Sequence, residues 1–321
     1  MSDRRMRVRQ FMIQRLNCTL LFTIISLSFP QSVPYFDGNR AMELLEEQCN
    51  FGFRYPGSPG HEKMITYFNT HLQGLVDEYR VYKTPVIHPM KQDTVILHNV
   101  FARFNPHSEF RIMLLAHWDT REIADNDSVD SLRHTPISGA NDGASGVAVL
   151  LTLAEIISAA PVNYGVDLLF VDGEDMGVPG KPDSYGLGTR EVSALLPKPY
   201  PAFAICLDMV GDKDQVFFME YYSVLNAPEV VSTVWILARE LGYSQFVPKI
   251  GTAIEDDHHV LWKHTGIPAI DIIDFQYPNA DTNYWHTTQD TPDKCSPESL
   301  GAVGTVITEL LYRENERHYA D

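Results

Sequence analysis

Val171-Asp172-Gly173-Glu174-Asp175 is the stretch on which the reading of this chain turns. A mostly apolar run, residues 166–171, ends there at a glycine and then two adjacent carboxylates. Such a run, bounded by a turn residue, predicts a buried strand. In an open α/β sheet, ligands gather at the carboxyl ends of strands. Adjacent acids at such a point can divide the work, one ligating a metal while the other moves a proton. An isolated Glu-Asp pair is more often a solvated turn, so the functional reading depends on what the other strand ends carry.

Those ends carry matching groups. Residues 111–116 predict a short buried strand that delivers His117-Trp118-Asp119. Residues 203–209 predict another, ending in Asp208 and Gly211, and residues 269–273 a third, followed by the loop Tyr284-Trp285-His286-Thr287-Thr288. Gly139-Ala140-Asn141-Asp142-Gly143 leads into a helical pattern through Val147, Leu150, Leu151, Ala154 and Ile157, with Asp142 placed to cap, to ligate, or both. Upstream, Asp37 or Asn39 can cap a helix. Ser58-Pro59 suits the start of a second, and residues 79–86 and 94–104 predict an antiparallel hairpin with a long connection. Residues 216–222 read as a strand and 228–241 as a helix; a short helix begins within 254–259, and a closing helix covers 297–312. Strands alternating with helices imply an α/β fold, a three-layer sandwich whose mixed, centrally parallel sheet is flanked by helices. One catalytic domain is expected over residues 31–321.

The first 30 residues differ from the rest. Arg4, Arg5, Arg7, Arg9 and Arg15 precede an apolar run over residues 19–29, the pattern of an export signal and too short for a membrane span. An exported protein, periplasmic or secreted and without a stable membrane anchor, is therefore expected. Cys18 precedes the apolar run, the wrong place for lipidation. The formal charge is −17, and removing the leader's net +4 leaves −21. So acidic a chain argues against nucleic acid or anionic lipid as a partner. Of the remaining cysteines, Cys206 lies in an apolar run, while Cys49 and Cys295 can pair only if the fold brings them together, which the sequence leaves open.

Asp208 is the hardest of these residues to dismiss. A carboxylate inside Cys206-Leu207-Asp208-Met209-Val210 needs hydrogen bonds or a cation, because bare burial costs several kcal/mol. Two histidines and several carboxylates, without cysteine, form an O/N donor set that suits zinc. Three protein ligands and an open position mark a catalytic zinc, and Glu174 stays free as a general base.

His117-Trp118-Asp119, Gly139-Ala140-Asn141-Asp142-Gly143, Gly173-Glu174-Asp175, Leu207-Asp208-Met209-Val210-Gly211 and Trp285-His286-Thr287 together resemble the ordered motifs of the zinc aminopeptidase superfamily. That superfamily includes the animal-type glutaminyl-peptide cyclotransferases, also found in some bacteria. In its di-zinc aminopeptidases, the resemblance implies that Asp142 bridges two metals, with His117 and Asp208 completing one site and Asp175 and His286 the other. In its cyclases, one zinc sits on Asp142, Asp175 and His286, while Asp208 and Asp256 share a hydrogen-bond network with Glu174. The stretch Glu255-Asp256-Asp257-His258, the Trp285-His286-Thr287 triplet and Tyr185-Gly186 resemble the cyclases.

Some positions depart from the animal pattern. Residues 176–182 lack the tryptophan that animal cyclases place there, Asp175 replaces a glutamate, and Ala116 stands in place of a loop cysteine. These departures resemble the bacterial branch. The implied activity is cyclisation of an N-terminal glutamine of a peptide or protein to pyroglutamate with loss of ammonia. Glu174, Asp208 and Asp256 would be the catalytic acids, Trp285 a wall of the substrate pocket, and one Zn2+ the cofactor, in a monomer. Two alternatives stand beside it. One is a di-zinc aminopeptidase with His117 and Asp208 on a second metal. The other is a binding module on the same fold, against which an intact Glu174 argues.

Overall fold

The computed structural model describes residues 32–319. The expected export signal, with Cys18, lies outside the described residues. Six strands form the main sheet in the order β1-β2-β4-β3-β5-β8. They are β1 (Glu78–Ile87), β2 (Thr94–Phe104), β3 (Arg111–His117), β4 (Gly165–Val171), β5 (Phe203–Asp208) and β8 (Ala269–Ile273). β1, β2 and β4 pair antiparallel, whereas β4, β3, β5 and β8 run parallel. All residues of β3, β4 and β8 are buried, which is why they read as mostly apolar runs, broken only by Arg111 and His117 at the ends of β3, Asp167 in β4 and Asp271 in β8. β1, at the edge, is only partly buried and alternates.

Each central strand feeds two cores, because successive side chains point to opposite faces. Ile112, Leu114 and Ala116 join the larger core, and Met113 and Leu115 the smaller. The larger is covered by α1 (Gly38–Asn50), α2 (Pro59–Leu72), α3 (Ala144–Ala159), α6 (Pro228–Glu240) and α8 (Pro297–Tyr319). The smaller lies under α4 (Leu187–Ser193) and α7 (Asp257–Thr265). This is the expected three-layer α/β sandwich. α3 is apolar nearly all round because it is sandwiched between the sheet and the outer helices α1 and α8. Asp37, rather than Asn39, caps α1, and Ser58 caps α2 with Pro59 in its first turn.

Register places the chemistry. His117 pairs with Val171 across β3 and β4, and Asp208 with Ile273 across β5 and β8. The neighbouring strands therefore finish at one level, and the loops that follow them share one cleft.

The expected strand over residues 216–222 is shorter than its pattern suggests. β6 (Phe217–Met219) pairs in parallel with β7 (Phe246–Ile250) in a separate two-stranded sheet that the sequence did not announce. Glu220 then caps α5 (Tyr221–Asn226), and its carboxylate accepts from the backbone N–H of Tyr222 and Ser223 at 2.9 and 2.6 Å. The same carboxylate meets Ser223 Oγ (2.8 Å), Ile254 N (3.0 Å) and His258 Nε2 (3.0 Å). Capping by side-chain oxygen stops the strand and starts the helix. Cys49 and Cys295 are free thiols, as is Cys206. No helix of the described residues is long and apolar enough to cross a membrane.

Burial works against the Glu220 carboxylate, but His258 and the two backbone N–H donors outweigh it and hold its pKa at about 2, against an ordinary 4.5. A depressed carboxylate contributes stability that is complete above its unfolded pKa and is lost as pH falls through the folded one. The contribution is about 3 kcal/mol near neutrality and should drain away between about pH 4.5 and 2. Glu220→Gln should therefore lower the unfolding free energy substantially at pH 7 and much less at pH 3, as measured by chemical denaturation. An equal loss at both pH values would refute the assignment.

Candidate active site

The loop after β4 brings Glu174 and Asp175 into the cleft through a turn at Gly173, whose φ of +71° suits glycine. Asp119 holds this turn from below, its two oxygens accepting Glu174 N (3.1 Å) and Asp175 N (3.2 Å). Asp290 does the same for the loop before α3, accepting Asn141 N (2.8 Å) and Asp142 N (3.2 Å). Gly143 lets that loop lie against β3: a Cβ there would fall 2.4 Å from the His117 carbonyl oxygen and 2.7 Å from its ring. His286 adopts a left-handed backbone, φ +56°, as does Met209 beside Asp208, φ +47°. Such conformations cost a non-glycine residue about 1 kcal/mol or more and cluster at functional sites.

Two buried donor triads result, and they share Asp142. Asp142, Asp175 and His286 place one ligand atom each within 4.8 Å of one another, and so do His117, Asp142 and Asp208. His286 Nε2 lies 3.1 Å from Asp175 Oδ1 and 3.8 Å from Asp142 Oδ2. Asp142 Oδ2 and Asp175 Oδ2 are buried without hydrogen-bond partners. Buried carboxylate oxygens left unpaired beside an imidazole nitrogen fit a cation bound by O and N donors. Behind these donors, Asp125 sits 3.4 Å from His286 Nδ1, and Arg121 grips both Asp125 and Asp175. A carboxylate behind a ligating histidine orients its ring and raises its basicity.

The electrostatics follow from this crowding. Burial disfavours the Asp175 carboxylate, but His286 and Arg121 outweigh it and keep its pKa below the ordinary value. Burial likewise opposes the His286 cation, yet Asp175 and Asp125 raise its pKa to about 9. Burial and the Asp175 charge lift Asp142 to about 6, against the pull of His117. Glu174 is pushed well up by burial and by the charges of Asp256, Asp175 and Asp257, with His117 opposing. A carboxyl so placed holds its proton more tightly than a solvated acid does.

The cavity holding these groups has a volume of about 230 Å³ and is lined by Asp142, Glu174, Asp175, Asp208, Asp256 and His286, with Tyr185, Phe275 and Trp285 as aromatic walls. Every expected site residue thus lies on it except His117, which is buried behind Asp142 and Asp208 at 3.0 and 3.1 Å. Trp285 stacks on His286, ring centroids 3.9 Å apart, and contacts Phe275 at 4.9 Å.

The expected hydrogen bonds linking Asp208 and Asp256 to Glu174 are replaced by other partners. Asp208 bonds His117, and Asp256 caps α7 through Asp257 N at 2.5 Å. Among the described residues neither bonds the Glu174 carboxyl directly; the charge of Asp256 raises the Glu174 pKa, whereas Asp208 meets His117. The reason is local: a helix start and an imidazole offer these carboxylates better donors than another acid does.

The supporting groups Arg121, Asp125, Asp290 and Phe275 escaped the sequence reading. Asp119 was visible only as part of the His117-Trp118-Asp119 motif.

Residues 99–311 match the model of peptidase family M28. Among solved structures, the chain is 34% identical to the Bacteroides thetaiotaomicron glutaminyl cyclase bound to N-acetylhistamine, with a TM-score of 0.83 over 87% of this chain and 99% of that one. It is 35% identical to the Tannerella forsythia glutaminyl cyclase, TM-score 0.82, over 87% and 99% of the two chains. A leucine aminopeptidase precursor from Bacteroides thetaiotaomicron is as similar, at 35% identity and TM-score 0.83 over 87% and 98%. With the family model spanning about two thirds of its residues, the chain belongs to peptidase family M28.

Proposed function

We propose that this protein is a zinc-dependent glutaminyl-peptide cyclotransferase, converting the N-terminal glutamine of peptides or proteins to pyroglutamate with release of ammonia. The observation that carries the reading is a buried Glu174 whose pKa is raised by neighbouring acids, next to a three-donor site and inside a cavity walled by aromatic rings. The similarity to solved bacterial glutaminyl cyclases supports it. Action outside the cytoplasm fits the basic and apolar start of the chain.

Asp142, Asp175 and His286 would hold a single zinc, with Asp125 and Arg121 fixing the ligands from behind. A zinc ion there supplies a Lewis acid that polarises the γ-carbonyl oxygen of the substrate glutamine. Trp285, Phe275 and Tyr185 enclose the side chain and fold it back, so that the α-nitrogen faces its own Cδ. Glu174 takes a proton from the α-amine as the N–Cδ bond forms. It returns a proton to the amide nitrogen as the Cδ–N bond breaks, and ammonia leaves. Nucleophile and electrophile belong to one residue, so placement and water exclusion do most of the work. Burial and the charge of Asp256 would raise the Glu174 pKa and so favour the return of the proton.

The donor set of His117, Asp142 and Asp208 favours one other reading, a di-zinc aminopeptidase in which Glu174 activates water against a peptide bond. Zinc-loaded protein incubated with Gln-Xaa and Leu-Xaa peptides, followed by mass spectrometry, separates the two. Ammonia loss from the glutamine peptide alone is expected, and cleavage of the leucine peptide would favour the peptidase.

Glu174→Gln should lower kcat by about 10²–10⁴-fold while leaving zinc content unchanged. Activity near wild type would exclude Glu174 as the proton carrier. Chelation should abolish turnover, and zinc added back should restore it with one ion per chain by metal analysis. A stoichiometry of two would transfer His117 and Asp208 to the ligand set.

A further inference from the structure

A second cavity, about 490 Å³, opens beside the first, and the two share Ile254, Ile273 and Phe275 as a common wall. Its far side includes Phe218, Lys249 and Ile250. Two features set it apart from an ordinary surface groove. Phe275 and Ile250 are 43% and 54% exposed, which puts apolar surface at the junction and on the far wall. Its charges are also unequal in availability. The Glu220 carboxylate is fully engaged by backbone, Ser223 and His258, whereas the Lys249 ammonium makes no ion pair among the described residues and lies 5.7 Å from the Phe218 ring centroid. Lys249 is thus an uncommitted cation on a chain of formal charge −17.

The chemistry proposed above consumes only the first residue of a peptide, yet the rest of that peptide must leave the cavity along some surface. The residues after the glutamine can run on from the first cavity into the second along the wall of Ile254, Ile273 and Phe275 that the two share. Apolar contact from Phe275 and Ile250 can hold a backbone there without selecting a sequence. The unpaired cation behind them can select. We infer that this second cavity is a subsite for the residues following the glutamine, and that Lys249 makes the enzyme prefer an acidic side chain at the second or third position. The inference rests on the cyclotransferase reading and adds a substrate class to it.

The test compares kcat/KM for Gln-Ala-Ala-amide with that for versions carrying Glu or Lys at the second or third position, using zinc-loaded full-length protein and ammonia release. Wild type should favour the Glu peptides over the Lys peptides by about fivefold at low salt, mainly through KM. The preference should shrink as salt rises. Lys249→Glu should invert it and Lys249→Met should flatten it; both replace an exposed side chain with no ion-pair partner to lose. Turnover of Gln-Ala-Ala-amide with equal kcat/KM for Glu and Lys peptides would overturn the subsite and leave the cyclotransferase standing. A preference that survives both Lys249 variants would do the same. Failure of wild type to turn over any of the glutamine peptides would overturn the cyclotransferase, and the subsite with it.

Discussion

Six carboxyl groups, those of Asp142, Glu174, Asp175, Asp208, Asp256 and Asp257, are buried around a single cleft. Like charges at close range in a poorly solvated site cannot all be ionised, and each raises the pKa of its neighbours. The surroundings answer this constraint with cations and protons. His286 and Arg121 neutralise Asp175, His117 sits between Asp142 and Asp208, and burial drives Glu174 and Asp257 toward their neutral forms. Removing one partner from such a set strands a buried charge, at a cost of roughly 3–5 kcal/mol.

The fold supports this crowding because the acids do not come from one flexible loop. They come from the ends of neighbouring parallel strands and from two helix starts, and the sheet fixes their spacing. The β3–β4 register sets His117 against the turn that carries Glu174, and β5–β8 sets Asp208 beside the segment leading to His286. Asp119 and Asp290 then clamp the loop backbones through their N–H groups. Burial and the Asp142 charge lift Asp290 to about 7, so the clamp itself adds less negative charge to the cleft than its residue type implies.

Much of this was legible in the sequence because parallel strands advertise themselves. Residues 166–171, 203–209 and 269–273 are mostly apolar, each interrupted by a single aspartate, and each proved to be a buried strand of the parallel part of the sheet, with 269–273 at its edge. Less visible was anything whose role comes from tertiary contact. Arg121 and Asp125 sit in a polar loop without periodicity, and nothing local marks a buried arginine that grips the Asp175 carboxylate. β7 contains Pro248 and Lys249 and is largely exposed, so its pattern is neither apolar nor alternating. Glu220 looked like the continuation of a strand, because a capping carboxylate and a strand residue differ only in what the next two N–H groups meet. Cys49 and Cys295 posed a question of geometry that spacing cannot answer.

The position between Asp142 and Asp208 explains how one scaffold can serve two chemistries. His117 Nε2 lies 3.0 Å from one of these carboxylates and 3.1 Å from the other, and a ring nitrogen carries at most one proton. A positive charge there relieves the repulsion between two carboxylates, as protonation of one carboxyl also does. A metal ligated by all three supplies such a charge, and so does an imidazolium. In this structure burial opposes the imidazolium, yet Asp119, Asp142 and Asp208 raise the His117 pKa well above its ordinary value. Asp119 tips the balance from the rear, 3.6 Å from Nδ1, while its other contacts hold the backbone of Glu174 and Asp175. One carboxylate thereby links the charge at His117 to the placement of Glu174, so the acids behind the cleft matter as much as those that line it.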